Sequence, residues 1–217
     1  MNQYLLIEPH FLPSIQYVAL LTYYKKVIFD DIVRFRKQSY LTRSYIRTPQ
    51  GPQSLIVPVQ KGKTKLSVGK VRIDNHHEWI APMVRTLRFN YSHSPFFMFF
   101  FDMIVRPIQS RFEYLAELNV ALIQAILRAL QVEWKWSWRS KWQQLPLVDD
   151  YCYHIHPKTR YHVPDPAFTA PRYYQLYAES DGTFYANLSI VDLLFNEGLD
   201  SVAYLIEAYA NKNRHLN

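Results

Sequence analysis

The opening of the chain constrains the fold most, because three kinds of local structure follow one another there. Leu5–Ile7 is an apolar run that is too short for a helix and suits a buried strand. Pro9 and Pro13 are excluded from a helix interior and predict a tight loop over residues 8–13. Ser14 is a suitable N-cap for a helix. We therefore predict strand, loop and helix, with unpaired backbone N–H groups that favour an anion at the helix start.

A second β-like run, Val27–Phe29, completes a βαβ unit and predicts a parallel pair of strands with a right-handed crossover. In such sheets ligands bind outside the carboxyl ends of the strands. Because Glu8, His10 and Asp30 follow the two strands, they are our candidate catalytic residues. His10 would act as a base or phosphate donor, and the carboxylates could position a base or a magnesium ion. The alternative is that all three are ordinary loop residues.

A cationic segment comes next, with five Lys or Arg side chains in the 14 residues 34–47, interleaved with aromatic residues. Turn chemistry over residues 48–52 and a β run over 55–59 predict a hairpin from about 44 to 59, contributing to a mixed sheet. Cations bind phosphates and a tyrosine can stack on a base or sugar. The candidate substrate-binding residues are Lys37, Tyr40, Arg43, Arg47 and Lys61. The alternative is a solvated face.

The second half is predicted to be mostly helical, so the fold class is α/β with a β-hairpin and a helical second half. Ser94 and Pro95 predict the start of one helix, and Ser189 and Asp192 form a pattern like a capping box, with Gly198 ending that helix. Residues 68–73 are predicted to form a strand, whereas the proline-rich residues 143–172 are predicted to be irregular. We predict a single domain over residues 1–217, with lobes at about 1–75 and about 76–217.

The composition restricts the kinds of partner that the protein can have, but it does not identify one. The formal net charge of +7 favours anionic partners, among them nucleotides, nucleic acid, acidic sugars and membrane surfaces. Cys152 is the single cysteine, which excludes an intrachain disulfide and fits a reducing cytoplasm. Residues 95–105 are too short to cross a bilayer, and no secretory signal opens the chain, so we expect a cytoplasmic protein without a membrane span.

Several further motifs have ordinary structural explanations. The histidines of residues 76–78 and 154–156 lack the spacing of known metal sites, so we predict no metal centre, and the sequence specifies no cofactor. Trp134, Trp136 and Trp138 alternate as on a half-buried strand, although they could form a platform for sugars. Cys152 has no activating neighbour in the sequence and is predicted to be inert.

Taken together, these motifs resemble the WbqC-like protein family. The resemblance is carried by residues 9–17, 37–43, 48–52, 55–59, 73–74, 94–97 and 187–198, together with Trp79. It implies a role in the assembly of bacterial surface polysaccharide (O-antigen), by acyl or aminoacyl transfer to an amino sugar. Many relatives begin with a His-Gln-Pro string, whereas this chain has Ile7-Glu8-Pro9 and carries its histidine at His10.

Three functional hypotheses follow. The first is a transferase or ligase that binds an anionic small molecule, such as a nucleotide-linked sugar, between the opening crossover and the cationic hairpin. The second is nucleic-acid binding, against which the absence of a recognisable reading motif counts. The third is a non-catalytic assembly protein that docks through the aromatic residues 96–101. Burial of those aromatic side chains in a core is the simpler expectation for that segment.

Overall fold

The computed structural model describes residues 3–60 and 66–210 and confirms the α/β class, with 40% helix and 17% strand. The predicted opening unit is present as strand β1 (Tyr4–Ile7), helix α1 (Ile15–Tyr24) and strand β2 (Lys26–Phe29). β1 and β2 are parallel, with Leu5 opposite Val27. The hydroxyl of Ser14 accepts a hydrogen bond from the backbone N–H of Tyr17, which confirms the N-cap.

The predicted hairpin consists of strands β3 (Arg43–Thr48) and β4 (Gly51–Ile56), with Gly51 at φ +103° after the turn. It forms a sheet of its own, so the expected mixed sheet was wrong in this respect. Both edges of β1 are already paired with parallel strands, which leaves no edge there for the hairpin. The hairpin is instead fastened through Ser44, whose hydroxyl donates to the carbonyl of Leu12 at 2.6 Å.

Three longer helices follow: α2 (Ile80–Tyr91), α3 (Phe97–Gln109) and α4 (Leu115–Ala129). The predicted start of α3 was wrong by two residues, since Phe96 is its N-cap and the buried Ser94 hydroxyl has no hydrogen-bond partner among the described residues.

The strand predicted over residues 68–73 was also wrong. Residues 68–70 form a 3-10 turn, and isolated bridges join Arg72 to Tyr114 and Ile73 to Val59.

The parallel sheet is completed by two strands from the second half, β5 (Lys135–Trp138) and β6 (Val148–Asp150), in the order β5-β2-β1-β6. β5 confirms the half-buried strand predicted from the tryptophans, whose rings surround Phe29. β6 contradicts the prediction that residues 143–172 are irregular. It has three residues and two carboxylates, so its pairing with β1 leaves no periodic signal in the sequence.

The last helices of the described residues are α5 (Ala178–Asp181), α6 (Ile190–Glu197) and α7 (Ser201–Glu207). Ser189 caps α6 as predicted, and Gly198 has φ +58° at its end. The predicted capping role of Asp192 was wrong. Its buried carboxylate accepts hydrogen bonds from the hydroxyls of Tyr91 and Tyr173, both at 2.6 Å.

One hydrophobic core includes residues of both predicted lobes, from β1, α1, the hairpin and helices α3, α4 and α6. The parallel sheet likewise takes two strands from each half of the chain. The division into two lobes stays a prediction.

Candidate functional site

Three strand ends meet at one edge of the parallel sheet. The backbone N–H of Asp30 donates to the carbonyl of Ile7 at 2.9 Å, and that of Tyr151 donates to the carbonyl of Leu6 at 2.8 Å. The loops after β1, β2 and β6 therefore leave the sheet side by side, as expected for a parallel arrangement. They carry Glu8, Asp30 and the segment 151–158, which we call the strap.

Glu8 is buried, with only 3% of its surface exposed. Its carboxylate oxygens lie 3.0 and 3.1 Å from the backbone nitrogen of Tyr153 in the strap, which donates to them, and 3.7 Å from Nε2 of His10. Burial alone would raise the pKa of Glu8, but its contact with His10 and the N–H of Tyr153 outweigh burial and lower that pKa below the usual value. Glu8 is therefore an ionised carboxylate at neutral pH.

The imidazole of His10 lies between two tyrosine rings. It stacks on Tyr17 with ring centres 4.4 Å apart, and Tyr40 covers another side at 5.5 Å. Nε2 faces Glu8, whereas the buried Nδ1 has no hydrogen-bond partner among the described residues. A carboxylate facing one ring nitrogen favours the proton on that nitrogen and leaves the other as an acceptor. This is the arrangement of an oriented general base.

Asp30 differs from Glu8 in its electrostatic environment. Burial raises the pKa of Asp30, although the backbone N–H groups of Val33 and Ile32, which donate to Oδ1 at 2.8 and 3.0 Å, partly oppose the rise. The pKa values of these two carboxyl groups are thus shifted in opposite directions by their different environments.

Cys152 lies between these carboxyl groups, with Sγ 3.8 Å from Oδ2 of Asp30. Burial, together with the charges of Glu8, Asp150 and Asp30, raises the pKa of the Cys152 thiol. The thiol is therefore protonated at neutral pH and is a poor nucleophile. This environment gives a physical reason for the inert cysteine that the sequence predicted.

The strap is fastened to the first cationic residues. The Tyr153 hydroxyl donates to the carbonyl of Arg34 at 2.8 Å, and the guanidinium of Arg36 lies 3.4 Å from the centre of the Tyr153 ring. Lys158 donates a hydrogen bond to the side chain of Gln38. These contacts hold the strap over Glu8.

The predicted substrate-binding residues fall into two groups. Lys37 is exposed beside the strap contacts, and Tyr40 lies against His10. Arg43 and Tyr45 share a face of β3 because side chains alternate along a strand, and the Tyr45 ring lies 6.4 Å from the Tyr40 ring. Arg43 is thus on the side of the hairpin that continues to His10.

Arg47 belongs to a different environment. It is fully buried, donates to the carbonyl of Thr48 at 2.6 Å, and forms an ion pair with Asp181. None of these contacts includes the His10 group. Lys61 lies outside the described residues. Sequence reasoning missed Arg36 and Tyr153, although the composition of residues 34–47 included Arg36 among the cations.

A cavity of about 570 Å³ lies beside the strap, and we call it the acidic cleft. Carboxylate, amide and aromatic side chains line it, including Gln3, Tyr24, Asp149, Tyr151, His154 and Asp165. Aromatic rings with a few polar groups are typical of sites for small polar ligands. Its carboxylates also favour a cationic amine.

Over residues 3–60 and 66–210, no group of three or more His, Cys, Asp or Glu side chains is arranged to hold a metal ion. His77 contacts Asp74 at 3.0 Å on the surface. Within those ranges, every helix is too short or too polar to cross a bilayer.

Comparison with known proteins places the chain in a family. The model of the WbqC-like protein family matches residues 8–167, a range that includes Glu8, His10, Asp30 and the whole strap. The chain is 26% identical over 228 residues to the uncharacterized protein Rv1507c of Mycobacterium tuberculosis (strain ATCC 25618 / H37Rv), covering 94% of this chain and 98% of that protein. No solved structure matches significantly. The chain belongs to the WbqC-like protein family.

Proposed function

We propose that this protein is a transferase that moves an acyl or aminoacyl group to the amine of an amino sugar or nucleotide-linked sugar, in the assembly of bacterial surface polysaccharide. The observation that carries the proposal is the buried Glu8–His10 pair beside Asp30, with opposite pKa shifts of the two carboxyl groups. Membership of the WbqC-like family supports a role in surface polysaccharide assembly. The proposed acyl transfer rests on the geometry of this pair.

In the proposed reaction, Nδ1 of His10 takes a proton from the amine as the amine nitrogen attacks the acyl carbon. Glu8 stabilises the imidazolium that forms. The His10 imidazolium then gives this proton to the leaving group as the bond between that group and the acyl carbon breaks. One C–N bond forms and one bond to the leaving group breaks, and the proton taken from the amine departs with the leaving group.

Substrate access requires the strap to move, because His10 is only 1% exposed. The contacts that would have to part include the stacking of Arg36 on Tyr153, the hydrogen bonds of Tyr153 to Arg34 and Glu8, and the hydrogen bond between Lys158 and Gln38. Once they part, the cations of this segment can bind the phosphates of a nucleotide-linked substrate. We assign the acidic cleft to the sugar ring of the acceptor, since its aromatic rings and polar side chains suit a sugar.

Thermal unfolding with UDP-glucosamine tests the binding half of the proposal. A ligand present at 100 times its Kd stabilises the folded state by about 2.7 kcal/mol. For a chain of this size that corresponds to a rise in Tm of roughly 5–10 °C. The double variant Arg36→Gln/Lys37→Gln should lose most of the rise. Arg72→Gln, which removes an exposed cation elsewhere, should keep it.

Activity tests the chemical half. With an acyl thioester as donor, mass spectrometry should detect N-acylated UDP-glucosamine, and His10→Asn should reduce the rate by roughly a hundredfold or more. The proposal fails if neither UDP-glucosamine nor its separate UDP and glucosamine parts change Tm, or if His10→Asn leaves a detected rate unchanged.

A further inference from the structure

Three large apolar side chains protrude around the connection between α2 and α3, residues 89–99, which we call the α2–α3 junction. Phe89 is 74% exposed, Met98 81% and Phe99 72%. Phe97, Phe100 and Phe101 of the same segment are buried, so the aromatic run predicted as a possible docking face divides into core and surface. Adjacent exposed side chains of this size are unusual on a protein that stays in water.

Hydrogen bonds to α6 hold the α2–α3 junction in place. The backbone N–H of Phe96 donates to the carbonyl of Phe195 at 2.9 Å, and the Tyr91 hydroxyl donates to Asp192 at 2.6 Å. A Cβ added at Gly198 would lie 2.6 Å from the Phe96 ring, so the Gly198 backbone packs directly against that ring. The apolar side chains are therefore presented by a packed platform and do not depend on a loose loop.

On each helix an arginine lies farther from the junction than the apolar side chains do. Arg85 lies four residues before Phe89 on α2, and Arg106 lies seven residues after Phe99 on α3. At 1.5 Å of rise per residue, these cations stand about 6 and 10 Å behind the apolar side chains as the helices leave the junction. Peripheral helices insert apolar side chains about 5–10 Å below the headgroups of a bilayer.

The positive charge around the α2–α3 junction favours an anionic partner. Arg85, Arg88 and Arg106 are exposed, and Asp102 is the one acidic residue in the sequence of α2 and α3. Arg88 is fixed over the ring of Phe101, with its guanidinium 4.6 Å from the ring centre. Apolar tips with arginines behind them complement an apolar layer below anionic headgroups, which is the order of groups at a bilayer surface.

We propose that the α2–α3 junction docks the protein on the surface of a bilayer that contains anionic lipid. Phe89, Met98 and Phe99 reach the boundary of the acyl chains, and the arginines contact lipid phosphates. The attachment is peripheral. It goes beyond the proposed transferase activity and does not depend on it.

Co-sedimentation of the full chain with vesicles tests the proposal. Binding should be strong to vesicles of phosphatidylcholine mixed with phosphatidylglycerol, weak to phosphatidylcholine alone, and reduced by salt. The triple variant Phe89→Ser/Met98→Ser/Phe99→Ser should lower the partition coefficient at least tenfold. Arg85→Gln/Arg106→Gln should remove the preference for anionic vesicles.

Two matched controls separate the junction from surface properties in general. Leu147→Ser removes another apolar side chain, 76% exposed, and Arg128→Gln/Lys135→Gln removes two cations from a cleft of about 610 Å³ near the starts of β2 and β5. Both should bind vesicles as the wild type does, and circular dichroism checks that each variant is folded.

Three results would overturn the proposal. The first is no binding of the wild type to either kind of vesicle. The second is equal vesicle binding by the wild type and the triple variant. The third is a dimer, detected by light scattering, that forms in the wild type but not in the triple variant, while neither protein binds vesicles. The last result would identify a second copy of the chain as the occupant.

Discussion

Asn119 on α4 joins the two segments that form the candidate site, and its removal should weaken both. The residue is fully buried, and its side-chain amide donates to the carbonyl of Pro9 and to the carbonyl of Leu41, each at 2.9 Å. Pro9 precedes His10, and Leu41 follows Tyr40. This amide therefore helps to set the distance between the first loop and the entry to the hairpin, together with the hydrogen bonds from the backbone N–H of Phe11 to Tyr40 and from the Ser44 hydroxyl to Leu12.

The expected cost of Asn119→Ala follows from these two bonds. A buried carbonyl left without its donor costs about 1–3 kcal/mol, so two cost roughly 2–5 kcal/mol after partial relaxation. Alanine returns about 0.5 kcal/mol through its higher helix propensity. With a urea m-value of about 2–3 kcal/mol/M, the midpoint of unfolding should fall by roughly 0.5–2 M.

Urea unfolding followed by tryptophan fluorescence measures this change. Gln124→Ala, at an exposed position on the same helix, is the matched control and should change stability by less than about 0.5 kcal/mol. If Asn119→Ala lowers the free energy of unfolding by no more than this control does, the reasoning is refuted and the two segments are held together by other contacts.

Three further predictions concern the pH dependence of stability, the backbone at Gly198 and the reactivity of the Cys152 thiol. Because the pKa of Glu8 is lowered on folding, its contribution to stability is complete above its unfolded pKa of about 4.3 and is lost as the pH falls through the folded pKa. Urea unfolding between pH 3 and 7 should therefore be less pH-dependent for Glu8→Gln, and an equal dependence would contradict the assignment. Gly198→Ala should lower thermal stability by about 1–3 kcal/mol, since the new Cβ meets the Phe96 ring at a positive φ; an unchanged Tm would show that this contact relaxes freely. Cys152 should react with iodoacetamide far more slowly than a free cysteine, and Asp30→Asn should speed the reaction; a fast reaction in the wild type would mean that the thiol pKa is not raised.

The opening of the fold could be predicted because its signals are local. An apolar run, two prolines and a serine N-cap specify β1, its loop and α1 without information from the rest of the chain. The candidate residues Glu8, His10 and Asp30 followed from the general location of sites at strand ends, and the structure brings them to one edge of the sheet. Their catalytic role stays a proposal.

The remaining features depend on contacts that no local pattern encodes. β6 pairs with β1 although the two strands are far apart in sequence. Its three residues alone therefore predict a loop. The strap contributes Tyr153 to the site only through this pairing. Asp192 occupied a capping pattern, yet two tyrosine hydroxyls hold its carboxylate instead. Arg47 could not be distinguished from the exposed cations of residues 34–37, because its burial arises from residues 177–185.

Hydrogen–deuterium exchange with UDP-glucosamine tests the central claim, that the loops after β1, β2 and β6 form one ligand site. The account predicts slower exchange in peptides that cover residues 7–12, 30–40 and 150–158, and weaker protection in Glu8→Gln. Protection confined to residues 124–135, which line the cleft of about 610 Å³ near the starts of β2 and β5, would contradict it.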